Sequence, residues 1–118
     1  MATTDEISVE ALRPLFRGEL LLPTDAGYEE HRRVWNGSID RRPALIARAT
    51  GVADVMAAVR FARERSLLVA VRGGGHSFPG LSTCDGGLLI DLGMMRGIRV
   101  DPGTRTARAQ AGVLLGDL

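Results

Sequence analysis

Three consecutive glycines stand directly before a histidine in the stretch VRGGGHSFPG, residues 71–80. Glycine allows positive φ angles and a close backbone approach, so successive N–H groups can form a concave nest that binds an anion. This loop therefore suits a pyrophosphate. His76 adds an imidazole, which is either a hydrogen-bonding turn residue or a nucleophile or tether beside a bound cofactor. Spacing alone does not choose between these roles.

Two common phosphate-binding fingerprints do not fit the loop. The dinucleotide fingerprint needs glycine where Phe78 stands, and the P-loop needs lysine where Leu81 stands. A metal site is not expected, because His31 is the other histidine of the chain and no spacing links it to His76. The single cysteine, Cys84, excludes an internal disulfide framework and a cysteine-based zinc site. The candidate ligand is thus a diphosphate without a protein-bound metal.

Length and charge limit the function classes to which the chain can belong. Its 118 residues form at most one small domain or part of one. The net charge of +1 gives no electrostatic reason for a nucleic-acid or membrane partner. The first residues, MATTDEIS, lack the pattern of a signal peptide, and no run of about 18 apolar residues predicts a membrane span. We expect a soluble, cytoplasmic chain that binds neither nucleic acid nor membrane.

A strand, a helix and a second strand are predicted to lead into the glycine loop. The apolar run at residues 44–49 predicts a buried strand, and residues 52–65 predict the strongest helix, with Thr50 as its N-cap. Residues 67–71 are short and apolar, as in a strand buried on both faces. This order predicts a parallel pair with a right-handed crossover, and ligands bind at the carboxyl ends of such strands. The apolar face of the helix is predicted to comprise Val52, Val55, Met56, Val59 and Ala62.

The remaining segments predict short elements. Residues 8–18 predict a short helix, and a strand is predicted at Leu88–Asp91. Residues 98–111 predict a hairpin whose alternating alanines face inward. The last residues, 112–118, resemble the opening of a helix.

Several side chains outside the loop are expected to have structural rather than functional roles. Tyr28 and Trp35 are expected to be packing anchors, and Cys84 is expected to be a small filler. The arginine pairs at 32–33 and 41–42 are expected to be solvated surface rather than an anion site.

A series of motifs extends the glycine loop in both directions. RGGGHSFPGLS is followed in order by IDL and VDP and is preceded by PTDAGYEEHRRVWN. Such an ordered series is far more specific than a lone glycine pair. Over residues 23–118 it closely resembles the start of flavin-linked oxidases of the berberine-bridge-enzyme-like group. These belong to the vanillyl-alcohol-oxidase, or p-cresol-methylhydroxylase (PCMH)-type, superfamily.

The resemblance implies an α+β fold, an FAD-binding PCMH-type domain that is incomplete at this length. Its N-terminal βαβ subdomain would be followed by the start of a mixed or antiparallel sheet. Residues 1–22 would form a helical lead-in, and residues 23–118 would form the N-terminal part of the FAD-binding domain.

The resemblance also implies roles for the loop residues. In that family the loop wraps the FAD pyrophosphate with backbone amides, and the histidine matching His76 bonds covalently to the 8α-methyl carbon of the isoalloxazine. Gly80 and Ser82 are further candidates on the same loop. Cys84 does not correspond to the second attachment cysteine of bicovalent relatives, which would lie beyond Leu118. The implied cofactor contacts are Arg72, Gly73, Gly74, Gly75, His76 and Ser77.

The implied activity is oxidation of a small organic substrate, such as an alcohol, a sugar or a secondary metabolite. The family transfers a hydride from the substrate to flavin N5, and O2 commonly reoxidises the flavin. The catalytic base and the substrate domain would lie downstream, so no catalytic residue is assigned and the isolated chain is expected to be inactive.

Three alternatives stay open. The chain could be a noncatalytic fragment that binds a flavin or another diphosphate. It could also be half of a split protein that needs a partner chain. A cell-wall-precursor reductase of the same FAD fold is the third, although its loop is not expected to carry His76.

Overall fold

Four short strands form one sheet in the computed structural model, which describes residues 8–118. The strands are β1 (Glu19–Leu21), β2 (Leu45–Arg48), β3 (Val69–Arg72) and β4 (Leu88–Asp91). Their order across the sheet is β1-β2-β4-β3. β1 is antiparallel to β2, and the other pairs are parallel. The predicted mixture of helix and sheet is confirmed, and β4 has the predicted bounds.

Two helices and a hairpin complete the fold. The helices are α1 (Tyr28–His31) and α2 (Val52–Glu64), and the hairpin consists of β5 (Ile98–Asp101) and β6 (Thr106–Ala109). The hairpin is confirmed, but its alanines do not face a core, because every residue of both strands is exposed. The helices predicted near the two ends are single 3-10 turns. Within residues 8–118, no helix is long and apolar enough to cross a membrane.

The predicted strand, helix and strand are present, and both strands run parallel within one sheet. They do not pair with each other, because β4 lies between them: Leu45 and Val69 both pair with Leu88. β4 is fully buried, as expected of a strand with a neighbour on each side. β3 is an edge strand, and its Val69 and Val71 are exposed. The predicted burial of this strand on both faces is therefore wrong.

Helix α2 packs a different face from the predicted one. Its buried residues include Asp54, Ala58 and Phe61, which the prediction did not name. Apolar residues occur almost all round this helix, so more than one face satisfies a period of 3.6 residues. Of the predicted face, Ala62 is buried and Val55 is partly buried. The other three predicted residues, Val52, Met56 and Val59, are exposed.

Asp54, rather than the predicted cap Thr50, fixes the start of α2. Its Oδ2 accepts hydrogen bonds from the Thr50 N–H (2.9 Å), the Thr50 hydroxyl (2.7 Å) and the Gly18 N–H (3.0 Å). Its Oδ1 accepts one from the Arg17 N–H at 2.8 Å. Burial favours the neutral acid, but these hydrogen bonds outweigh burial and hold the pKa of Asp54 below its ordinary value. Asp54 thereby joins the N-terminal segment to the helix.

Replacing Asp54 with asparagine is expected to lower the free energy of unfolding by about 1–2 kcal/mol at neutral pH, because the charged acceptor is lost. Since folding lowers the pKa of Asp54, its charge stabilises the fold above the unfolded pKa of about 4, and this stabilisation is lost as the pH falls. Urea unfolding of both proteins should therefore show a stability gap that narrows in acid. A gap that stays constant or widens in acid would contradict this role.

Two apolar clusters cover the sheet, and alternate residues of its strands belong to alternate clusters. The first packs α2 and the N-terminal segment against the sheet. The second contains Tyr28, which is fully buried and donates its hydroxyl to the Pro43 carbonyl at 2.6 Å. It also contains Cys84, whose thiol pKa is raised by burial. The predicted anchor Tyr28 and the predicted filler Cys84 are confirmed. The strand residues of this cluster are Leu21, Ile46, Ala70 and Leu89.

Candidate functional site

The glycine loop, residues 73–87, begins directly where β3 ends. Its first residues therefore lie at the carboxyl edge of the parallel strands, where sheets of this kind bind ligands. Gly75 and Gly80 have φ angles of +74° and +80°, which residues with a side chain rarely adopt. The sequence thus predicted both the place of the loop and its dependence on glycine.

The first part of the loop contains a row of backbone N–H groups that make no hydrogen bond to the described part of the chain. None of the N–H groups from Gly73 to Ser77 donates a hydrogen bond to a group within residues 8–118. Backbone N–H groups away from water normally find a partner. Gly75 is nevertheless buried and Gly73 is half-buried, whereas His76 is exposed. A row of this kind is what an anion with several acceptor oxygens can bind.

Close contacts explain why these positions lack side chains. A Cβ atom at Gly73 would lie 2.8 Å from the Ala111 carbonyl oxygen, which belongs to the backbone after the hairpin. A Cβ atom at Gly74 would lie 2.9 Å from Cδ2 of His76, so the imidazole occupies the space above that glycine. The bare backbone therefore accommodates both another part of the chain and the histidine side chain.

Three charged side chains form a row at the strand ends. Arg48, Asp91 and Arg72 are the last residues of β2, β4 and β3, and they pair in register across the sheet. Oδ2 of Asp91 lies 2.9 Å from Nη2 of Arg72, 3.2 Å from Nε of Arg48 and 4.0 Å from Nδ1 of His31. Its Oδ1 accepts a hydrogen bond from the Gly93 N–H at 2.8 Å. This buried carboxylate holds Arg72, the residue from which the loop departs.

Residues 33–36 bind the loop along its first half. They include Trp35, a residue that is 67% exposed, so its predicted role as a packing anchor is wrong. Instead, the centroid of its indole lies 5.8 Å from the centroid of the His76 imidazole, and the two ring planes are inclined at 47°. Three hydrogen bonds of 2.9 Å join residues 33–36 to the loop and to Arg72 before it. Arg72 Nη1 donates to the Arg33 carbonyl, the Trp35 N–H donates to the Gly75 carbonyl, and Asn36 Nδ2 donates to the Phe78 carbonyl.

The second half of the loop is closed by Ser77 and Arg41. The Oγ of Ser77 accepts a hydrogen bond from the Leu81 N–H, and its carbonyl accepts one from the Gly80 N–H, both at 3.1 Å. Nη1 of Arg41 donates to the Gly80 carbonyl at 2.6 Å. Arg41 is therefore part of the loop's support, and the expectation that it is solvated surface is wrong.

The predicted site residues thus fall into three groups. Gly73 to Ser77 form the row of donors with the imidazole. The guanidinium of Arg72 is occupied by its two partners beneath the loop, so its role as a cofactor contact stays a prediction, as does that of Gly80. Ser82 is buried, and its hydroxyl has no hydrogen-bond partner in the described part of the chain.

The sequence patterns did not identify Asp91, Trp35 or Arg41 as site residues. A signal for the first was present: three strands end in a charged residue after an apolar run, as LIAR, VAVR and LLID. Because the carboxyl ends of parallel strands meet at one edge, this pattern could have predicted the charged row. Trp35 and Arg41 gave no local signal, since their contacts join distant residues; Arg41 and Gly80 are 39 positions apart.

The residues at this edge can bind an anion. The N–H groups of residues 73–77, which have no partner in the described part of the chain, can hold a diphosphate, and the exposed imidazole of His76 stands beside them. The described residues contain no cluster of three or more side chains that could hold a metal ion. Fold and site together define an α+β domain suited to a cofactor that carries a diphosphate.

Comparison with known proteins identifies the family of this domain. Residues 43–118 match the family described as an FAD binding domain. The chain is 40% identical over 102 residues to (R)-6-hydroxynicotine oxidase of Paenarthrobacter nicotinovorans, a match covering 86% of this chain and 22% of that protein. It is 33% identical over 94 residues to berberine bridge enzyme-like 14 of Arabidopsis thaliana, covering 77% of this chain and 18% of that protein.

A solved structure agrees with these matches. The crystal structure of 6-hydroxy-D-nicotine oxidase from Arthrobacter nicotinovorans has a TM-score of 0.83 and 39% identity, covering 86% of this chain and 22% of the other. The chain belongs to the FAD-binding-domain family, and the predicted resemblance to FAD-linked, berberine-bridge-enzyme-like oxidoreductases is confirmed. The chain spans about a fifth of the length of these curated relatives.

Proposed function

We propose that this chain binds the diphosphate of FAD through the backbone N–H groups of residues 73–77, within an FAD-linked oxidoreductase. The observation that carries the proposal is a row of N–H groups that have no hydrogen-bond partner within residues 8–118, in a chain of the FAD-binding-domain family. A diphosphate has the negative charge and the acceptor oxygens that such a row binds. The proposed cofactor contacts are Arg72, Gly73, Gly74, Gly75, His76, Ser77, Gly80 and Ser82.

His76 is the proposed covalent attachment point of the flavin. Its exposed imidazole lies directly beside the row of donors, which supports an attachment role. A bond from an imidazole nitrogen to the 8α-methyl carbon replaces one N–H bond and one C–H bond. The two electrons and two protons released pass by way of the flavin to molecular oxygen, which becomes hydrogen peroxide. Attachment would keep the cofactor from leaving a site that is open in this part of the protein.

The proposed reaction is oxidation of a small alcohol, sugar or secondary metabolite. When bound, FAD supplies the N5 atom that accepts a hydride, with O2 as the electron acceptor. A relative named as an oxidase of hydroxynicotine supports this class of activity. Within it, the residues of this chain bind, orient and attach the cofactor, and none is assigned an acid–base step.

The test is whether the affinity for flavins depends on the diphosphate. The purified chain is titrated calorimetrically with FAD and with riboflavin, which has the same ring system but no phosphate. We expect riboflavin to bind about a hundredfold more weakly, because two charge-assisted hydrogen bonds contribute about 1.5 kcal/mol each. ADP, which carries a diphosphate without the flavin, should compete with FAD. Equal affinities for FAD and riboflavin, or no binding of FAD, would contradict the proposal.

A further inference from the structure

Trp35 is held by its backbone at a fixed place beside His76. Its N–H donates to the carbonyl of Gly75, the residue directly before the histidine, at 2.9 Å. Two exposed side chains therefore project from segments that a hydrogen bond joins, and their ring centroids are 5.8 Å apart. The contact between the rings follows from the backbone arrangement of the loop.

The next residue, Asn36, fixes the chain on the other side of the histidine. Its amide nitrogen donates to the carbonyl of Phe78 at 2.9 Å. Its Oδ1 accepts hydrogen bonds from the Ser38 N–H at 3.1 Å and the Ser38 hydroxyl at 2.7 Å. The backbone before and after His76 is thus bonded to two consecutive residues of one segment.

The imidazole of His76 therefore has a neighbour on each of two sides. Gly74 leaves the space that Cδ2 of His76 occupies, since a Cβ atom there would lie 2.9 Å from it. The indole of Trp35 limits the imidazole from a second direction. A histidine on a loop of glycines would otherwise have wide rotational freedom, and a bond-forming group reacts faster when its direction is fixed.

We propose that Trp35 is a positioning residue for His76, whose indole restricts the imidazole to the direction from which it meets the flavin. This inference rests on the proposed function, because it takes His76 as the attachment point. It assigns Trp35 no contact with reacting atoms. The indole acts through the histidine.

The first test uses the free chain and needs no cofactor. The chain has two histidines, so its imidazole resonances in a proton–carbon correlation spectrum form two sets, which His76→Ala assigns. We expect Trp35→Ala to shift the His76 ring resonances and to leave those of His31 in place. Phe78→Ala is the matched control, since this aromatic residue is similarly exposed (73%) and makes no ring contact with His76 within residues 8–118. Unchanged His76 resonances in Trp35→Ala would overturn the inference.

The second test measures how fast flavin becomes attached. Each variant is mixed with FAD, samples are precipitated with acid over time, and the flavin that stays with the chain is quantified. We expect Trp35→Ala to slow attachment by about tenfold or more, and Trp35→Phe, which keeps a ring, to stay within about threefold of the unchanged chain. Phe78→Ala should attach flavin at the unchanged rate.

The two tests separate this inference from the proposed function. If the unchanged chain attaches flavin and Trp35→Ala attaches it equally fast, the positioning role is overturned and the attachment proposal stands. If the unchanged chain attaches no flavin, the attachment proposal fails, and with it the direction toward flavin assigned to the imidazole. The resonances then decide only whether the indole of Trp35 lies against the imidazole of His76 in solution.

Discussion

Replacing Asp91 with alanine is expected to lower the free energy of unfolding by about 3–5 kcal/mol, because it leaves the buried guanidinium of Arg72 and the half-buried guanidinium of Arg48 without their shared partner. Asp91 is the acceptor for Arg72 and Arg48, and His31 approaches the same oxygen. Arg48 would keep its ion pair with Glu19 at 3.0 Å. Among the described residues, Arg72 would keep only its hydrogen bond to the Arg33 carbonyl. The largest loss should therefore fall on the residue that begins the glycine loop.

Urea unfolding followed by circular dichroism measures this change at neutral pH. Asp117→Ala is the matched control, because it removes the carboxylate of a more exposed ion pair, with Arg96 at 2.6 Å. Such a pair contributes about 0–1 kcal/mol. Asp91→Asn, which keeps the shape of the side chain, should lose stability in the same direction but less, and it covers the case in which the alanine variant does not fold. Equal losses in Asp91→Ala and Asp117→Ala would contradict the account of the charged row.

Replacing Gly73 with alanine is expected to weaken FAD binding by about a hundredfold, because displacements near 1 Å in a site can have effects of that size. The new Cβ atom would lie 2.8 Å from the Ala111 carbonyl oxygen. Both atoms belong to or adjoin the backbone, so neither can move aside as the end of a flexible side chain could. The first donor of the row must therefore shift.

Calorimetric titration with FAD measures this effect, and Gly37→Ala is the matched control. A Cβ atom at Gly37 would meet no atom of residues 8–118 within 4 Å, although this glycine follows the segment that binds the loop. FAD affinity should be unchanged in that variant. Unchanged affinity in Gly73→Ala would mean that the row of donors does not hold the diphosphate.

Local patterns were sufficient for most of the elements. The apolar run of β4, the turn of the hairpin and the helical spacing of α2 each lie within a few residues, and all three elements are present. The strand order was not predictable in this way. Pairing of β4 with both β2 and β3 depends on contacts between residues that are distant in the sequence. An apolar run does not indicate which other strands it will pair with. The buried face of α2 was misjudged because apolar residues surround the helix.

In the site too, local sequence predicted some features, whereas others depend on contacts between distant residues. The glycines predicted a nest because positive φ angles and close approach are properties of the residue itself. The residues that support the nest are distant from it in the sequence. Arg41 bonds to Gly80, and Trp35 bonds to Gly75. Glycine content therefore revealed where a ligand could approach, and only the fold revealed what holds the loop in shape.

We propose that the glycine loop holds FAD and that His76 attaches it. The most direct measurement is the mass of the chain purified with its flavin and then denatured, followed by peptide mapping. We expect a chain that is heavier by one FAD less two hydrogen atoms. The addition should lie on the peptide that contains His76 and should be absent from His76→Ala. An unmodified chain with all flavin in the supernatant, or an addition on another residue such as Cys84, would contradict the claim.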